Sequence, residues 1–191
     1  MELIFATHNK DKLLEAKTKI GEKFNIISLS DLEFFEEIEE TSNTLLGNAK
    51  IKAETIYKKF NKNVFSDDTG LEVETLDNKP GVYSSRYAGE NATYKDNVLK
   101  LLKDLQNKEN RNARFRTVIY LILDGKSYFF EGEVKGQIIK EIRGEGGFGY
   151  DPIFLPDGYS KTFAELPLSE KNKISHRGKA LEKLSNFLNS L

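Results

Sequence analysis

Apolar residues along the chain follow two rhythms, the short continuous runs of buried strands and the three-to-four spacing of amphipathic helices. Residues 2–6 (Glu-Leu-Ile-Phe-Ala) read as a short buried strand, and Leu13, Ala16 and Ile20 put one apolar face on a helix over 10–23. A second short strand follows at 25–28, then an acidic loop over 31–43. Leu45, Ala49, Ala53, Ile56, Tyr57 and Phe60 line the inner face of a helix over 44–60. Residues 64–68 predict a strand that ends at a turn, Thr69-Gly70, with strand resuming over 71–75. Pro80-Gly81 marks a turn that opens a loop through Ser84, Ser85 and Arg86. Thr93 and Asp96 form a capping pair for a helix over 94–106, with Tyr94, Val98, Leu101, Leu102 and Leu105 inside. The β-branched and aromatic run 114–123 meets the hairpin signal Asp124-Gly125 and returns over 126–134, with a further strand at 136–142. A glycine-rich loop spans 144–149, and the segment 169–191 reads as mostly helix carrying Leu181, Leu184, Phe187, Leu188 and Leu191, with Ser175-His176-Arg177-Gly178 inside or at the start of its last helical part.

Helices interleave with strands, but several strands are joined by hairpins. The expected fold class is therefore α/β with a mixed central sheet flanked by helices, rather than a purely parallel doubly wound sheet. The 191 residues form one domain, with room for two lobes, and at this size a chain buries roughly 70% of its unfolded surface. Lys and Arg number 29 against 30 Asp and Glu, which argues against bulk binding to nucleic acid or to an anionic membrane. The absence of cysteine excludes disulfides, thiolate zinc sites and thiol catalysis. With only His8 and His176, a bound metal must rest on oxygen ligands, which favours Mg²⁺. The N-terminal residues show no basic segment followed by a long apolar run, and no stretch approaches the roughly 20 apolar residues of a membrane span. The expected location is the cytoplasm.

Several segments carry candidate chemistry. Thr7-His8-Asn9-Lys10-Asp11-Lys12 lies between a strand and a helix, where free N–H groups, the helix dipole and two lysines suit phosphate. Asp67-Asp68-Thr69-Gly70 places two carboxylates at a strand end, and strand alternation sends them to opposite faces. If Asp68 shares a face with Val64 and Ser66, one carboxylate is left for chemistry and the other for structure. The acidic run 36–40 is a second source of oxygen ligands. Gly144, Gly146 and Gly149 spell G-x-G-x-x-G, but Pro152 and an apolar run follow where a dinucleotide site needs a helix. Glycines beside Phe148 and Tyr150 fit a ligand loop in which backbone approaches closely and rings stack on a base. Lys171, His176 and Arg177 form a cationic group. Neither a Walker A loop nor a G-x-S-x-G elbow is present.

Taken in order, these segments resemble the inosine triphosphate pyrophosphatase family over essentially the whole chain. Ala6-Thr7-His8-Asn9 through Lys12 and Glu15, Glu39-Glu40-Thr41 with Asn48-Ala49 and Lys52-Ala53, and Asp67-Asp68-Thr69-Gly70-Leu71 are similar to three of its motifs. Pro80 to Tyr87, Gly147 to Pro152, and Lys171 with Ser175-His176-Arg177 complete the set. Gly47 departs from the Glu common before Asn-Ala, Thr69 from Ser, and His8 from Gly. The resemblance implies an elongated fold with two lobes around an active-site cleft, a homodimer, and Mg²⁺-dependent hydrolysis of ITP, dITP and XTP to monophosphate and pyrophosphate. It assigns Asp68 as general base and metal ligand, and Glu40 as the second metal ligand. Thr7, His8, Asn9, Lys10, Asp11, Lys12 and Thr69 are given to the triphosphate. Phe148, Gly149, Tyr150, Asp151, Lys171, His176 and Arg177 are given to the base. The competing expectations are a Maf-like pyrophosphatase of other base preference and a nucleotide-binding module without catalysis.

Overall fold

The computed structural model describes residues 1–20 and 24–191. The chain divides into two compact units: residues 1–68, 117–132 and 177–191 form the first, and 69–116 with 133–176 the second.

The first unit is built on β1 (Glu2–Phe5), which pairs in parallel with both β2 (Asn25–Ser28) and β3 (Val64–Val73). Alternation along these strands sorts the apolar residues into two layers. Leu3, Phe5 and Phe65 pack with Ala16 and Ile20 of helix α1 (Lys10–Ile20) and with Ala180, Leu181, Leu184 and Leu188 of a C-terminal helix. On the opposite face Ile4, Ala6 and Val64 pack with Ala53 and Ile56 of α2 (Leu45–Phe60). The period-2 pattern of the strands thus places one helical layer on each side. The part of the α1 expectation that falls on residues 21–23 lies outside the described residues.

The second unit is built around the far halves of β3, β5 (Asn112–Leu123) and β6 (Lys126–Ile138), with β4 (Lys79–Gly81) and β7 (Phe154–Pro156) paired antiparallel to β3 and β6. Helix α3 (Tyr94–Asp104) buries Val98 and Leu101 against Leu71, Phe115, Phe154 and Phe163. It starts in the expected capping box of Thr93 and Asp96, but Tyr94, expected inside, is exposed in the first turn. The sheet order is β2-β1-β3-β5-β6-β7, a mixed sheet with flanking helices.

Several elements depart from or refine the sequence expectation; Pro80-Gly81, read as a turn, lies in strand β4. Thr69-Gly70 is not a turn: β3 runs unbroken from Val64 to Val73. A Cβ on Gly70 would lie 2.8 Å from the Gly81 carbonyl oxygen, so the glycine serves the close approach of β4. Likewise β6 continues through Gly136 to Ile138, and residues 139–142 add no separate strand. The closing segment, expected to be mostly helix, is two helices, α4 (Leu168–Ile174) and α5 (His176–Asn189), the second starting at His176. Ser175 is extended between them (φ −69°, ψ 156°), a backbone state and a residue type suited to starting a new helix.

Candidate active site

Alternation along β3 separates its two aspartates. Ser66 and Asp68 face α2: the Ser66 hydroxyl donates to the Ala49 carbonyl, and Asn48 Nδ2 donates to Asp68 Oδ2 at 3.3 Å. Asp67 faces α1 and α5. Its Oδ1 accepts from Lys12 Nζ at 3.0 Å and its Oδ2 from Arg177 Nε at 3.1 Å, while Arg177 Nη1 donates to Glu15 at 2.6 Å. Asp67, Glu15 and Arg177 are each at most 3% exposed. Burial alone would raise the Asp67 pKa, but Lys12, Arg177 and Lys52 hold it well below the usual carboxylate range. Burial and the neighbouring cations lower Lys12, against the pull of Asp67.

On the α2 side a second cluster forms. Lys52 Nζ lies 2.5 Å from Glu40 Oε1 and 3.6 Å from Asp68 Oδ1. Burial raises the Asp68 pKa, Lys52 opposes this, and Glu40 raises it further. Lys52 itself is shifted up, because Asp68 and Glu40 outweigh its burial. Two carboxylates therefore converge on one cation. That donor set fits a hard divalent ion, since Mg²⁺ is commonly held by one or two carboxylates with the remaining positions left to phosphates and water. Among the described residues no group of three or more His, Cys, Asp or Glu side chains could hold a metal ion.

The segment 7–12 has a more divided role than its sequence suggests. Asn9 caps α1, its Oδ1 accepting from the N–H groups of Asp11 (2.9 Å) and Lys12 (3.1 Å). Those two N–H groups are thus engaged within the chain. Thr7 is half-buried, and its hydroxyl accepts from the Asn9 N–H. His8 is exposed, with Nε2 donating to the Glu36 carbonyl and the ring stacked on Phe34. Lys10 and Asp11 are exposed, and Lys12 is the member brought to Asp67. Thr69 is half-buried on β3, next to Asp68 in the chain.

In the second unit the glycine loop closes on Asp151, whose Oδ2 accepts from the Phe148 N–H (2.9 Å) and from Lys171 Nζ (2.7 Å). Gly147 has φ +71°, and a Cβ there would fall on the Asp151 carboxylate. The Lys171 ammonium also lies 4.7 Å from the Phe148 ring centroid. Phe148 and Gly149 are half-buried and accessible. Tyr150 is buried, and its hydroxyl donates to the Ser84 carbonyl at 2.8 Å. It acts as a strut for the loop. His176 is stacked on Phe115 at 4.5 Å between ring centroids. Arg177, grouped with Lys171 and His176 from the sequence, instead has Asp67 and Glu15 as partners.

Glu15, Asn48 and Lys52, quoted above within the motifs but given no role there, belong to the clusters. Asn48 and Lys52 stand four apart on α2, so the motif that carries them puts both on one stretch of the helix surface.

The model of the Ham1 family matches residues 3–187. The chain belongs to the Ham1 family. A Ham1 protein from Staphylococcus aureus superposes with a TM-score of 0.90 at 41% identity, covering 100% of this chain and 99% of that one. One from Coxiella burnetii gives 0.92 at 38% identity, with full coverage of both chains. A dITP/XTP pyrophosphatase of Flavobacterium johnsoniae is 51% identical over 188 residues, 98% of each chain. That of Bacillus subtilis is 48% identical over 191 residues, 98% of this chain and 96% of its own. The Ham1 fold accordingly matches the mixed sheet and flanking helices described above.

Proposed function

We infer that this Ham1 protein is a nucleoside triphosphate pyrophosphohydrolase acting on ITP, dITP and XTP, releasing the monophosphate and pyrophosphate and so clearing these purines from the nucleotide pool. The observation that carries the reading is the buried Asp68, which shares Lys52 with Glu40 and is shifted toward greater basicity. Glu40 and Asp68 would hold Mg²⁺, which when bound neutralises phosphate charge and orients the triphosphate. Asp68 positions a water and takes up its proton as the water attacks the α-phosphorus. Lys12 and Lys52 supply positive charge to the phosphates and to the departing pyrophosphate, with Asp67 fixing the Lys12 ammonium.

Base selection is assigned to Phe148, Gly149, Asp151 and Lys171. The Phe148 ring offers a stacking face, and Asp151 holds Lys171 as a fixed donor. Hypoxanthine and xanthine present a 6-oxo acceptor beside an N1–H donor; adenine reverses both, and guanine shares them but adds a 2-amino group that the pocket must exclude. Fixed donors reject the reversed pattern because it leaves desolvated polar groups unpaired. The enzyme is read as a cytoplasmic homodimer that takes a small-molecule substrate, with no nucleic acid or membrane partner. Among the described residues no helix is long and apolar enough to cross a membrane.

A triphosphate panel with both products quantified tests this reading. ITP, dITP and XTP are expected to yield monophosphate and pyrophosphate, with ATP and GTP far slower. Equal turnover of ATP, or orthophosphate as the first product, overturns it. The cation requirement is tested separately: activity is expected to vanish in excess EDTA and to return with added Mg²⁺. Full turnover in EDTA would remove the two-carboxylate metal site from the mechanism.

A further inference from the structure

Asn48 is fully buried in the first turn of α2, and both ends of its amide are used. Its Oδ1 accepts from the Ser42 N–H at 2.9 Å, and its Nδ2 donates to Asp68 Oδ2 at 3.3 Å. The orientation follows from the chemistry. A backbone N–H must face the amide oxygen, so the amide nitrogen must face the carboxylate. Asp68 Oδ2 is thereby engaged by Asn48, and Oδ1 faces Lys52.

The other end of the same amide holds the segment that carries Glu40, two residues before Ser42. This segment folds back over the start of α2. The Ser42 hydroxyl accepts from the Thr44 N–H, and Thr44 Oγ1 accepts from the Gly47 N–H. A Cβ on Gly47 would fall on the Ser42 side chain, so the glycine that departs from the expected Glu makes room for this fold-back. One side chain therefore ties Asp68 on β3 to the loop bearing its partner carboxylate.

We propose that Asn48 is a positioning residue: it fixes the rotation of the Asp68 carboxylate and holds the Glu40 segment in register with it. The proposal rests on Asp68 being the base of the reaction inferred above. Aspartate at this position would keep an acceptor for Ser42 but set oxygen against oxygen at Asp68. Alanine would remove both bonds.

The experiment measures kcat, KM and melting temperature for ITP hydrolysis with Asn48→Ala, Asn48→Asp and the exchange variant Asn48→Asp/Asp68→Asn. Loss of a group that orients a reacting carboxylate or metal ligand commonly costs about 10- to 100-fold. Asn48→Ala is expected to lose that much in kcat while KM for ITP changes less than about threefold, because the residues assigned to phosphate and base are untouched. The exchange variant re-forms one amide–carboxylate pair with the roles reversed. It is expected to recover the melting temperature that Asn48→Asp loses, yet to remain inactive. A folded Asn48→Ala with unchanged kcat, or a loss confined to KM, overturns the proposal. So does an exchange variant no more stable than Asn48→Asp. This thermal coupling between positions 48 and 68 does not depend on which nucleotide is hydrolysed. A wild-type protein inactive on ITP would therefore defeat the substrate reading and leave the pairing to be judged on melting temperature alone.

Discussion

Asp68→Asn is expected to lower ITP turnover by a factor of about 10² to 10⁴ while the nucleotide still binds. The substitution keeps the shape of the side chain. It removes the negative charge that Glu40 shares around Lys52 and the basic oxygen that takes a proton from water. Removing a charge from this cluster also relieves the like-charge contact with Glu40 that helps to raise the Asp68 pKa. The folded protein should therefore be little destabilised, and the effect should fall on kcat. Turnover with Mg²⁺ at saturating ITP, together with ITP binding by calorimetry, checks this. Near-normal turnover in the folded variant would remove Asp68 from the chemistry.

The sequence made the layers of this fold legible because strand alternation and helical spacing are local properties. The apolar residues of 2–6, 13–20 and 45–60 were enough to place helices on a sheet, and the Thr93–Asp96 cap was readable from two residues. The misread elements share a cause. Gly70 and Gly136 look like breaks in a one-dimensional reading, but each admits a neighbouring strand, β4 or β7, that comes from elsewhere in the chain. The break at Ser175 was hidden because helical periodicity does not register a single extended residue.

The candidate site divides in the same way. Asp68, Glu40 and the Asp151–Lys171 pair lie on segments whose motifs announce them. The partner of each charge is a matter of tertiary contact. Arg177 sits beside His176 in the chain, yet its guanidinium meets Asp67 and Glu15, more than a hundred residues away in sequence. Tyr150 and Asn9 show the same limit: the Tyr150 hydroxyl meets the Ser84 carbonyl, and Asn9 Oδ1 the backbone of α1, partners that the motifs do not name.

That network makes Asp67 the residue whose loss should be felt most in stability. Asp67→Asn leaves Lys12 and Arg177 without the charge that lies between them in a buried site. Removing one member of a buried ion pair commonly costs about 3–5 kcal/mol. For a chain of this length each kcal/mol lowers Tm by roughly 2–4 °C, so a drop on the order of 6–20 °C is expected. Turnover should fall less than in Asp68→Asn, because the amide that replaces the carboxylate can still accept from Lys12 through its oxygen. The sign of the pH dependence gives a second check. The Asp67 pKa is depressed in the folded state, so its contribution is fully present above the unfolded carboxylate value of about 3.9. It is lost as pH falls below that value toward the folded one. The difference in stability between wild type and Asp67→Asn should be flat from about pH 5 to 8 and should shrink below about pH 4. Denaturant unfolding of both proteins across that range measures it. A difference that persists undiminished in acid would mean that the charge of Asp67 contributes nothing and that its shape alone matters.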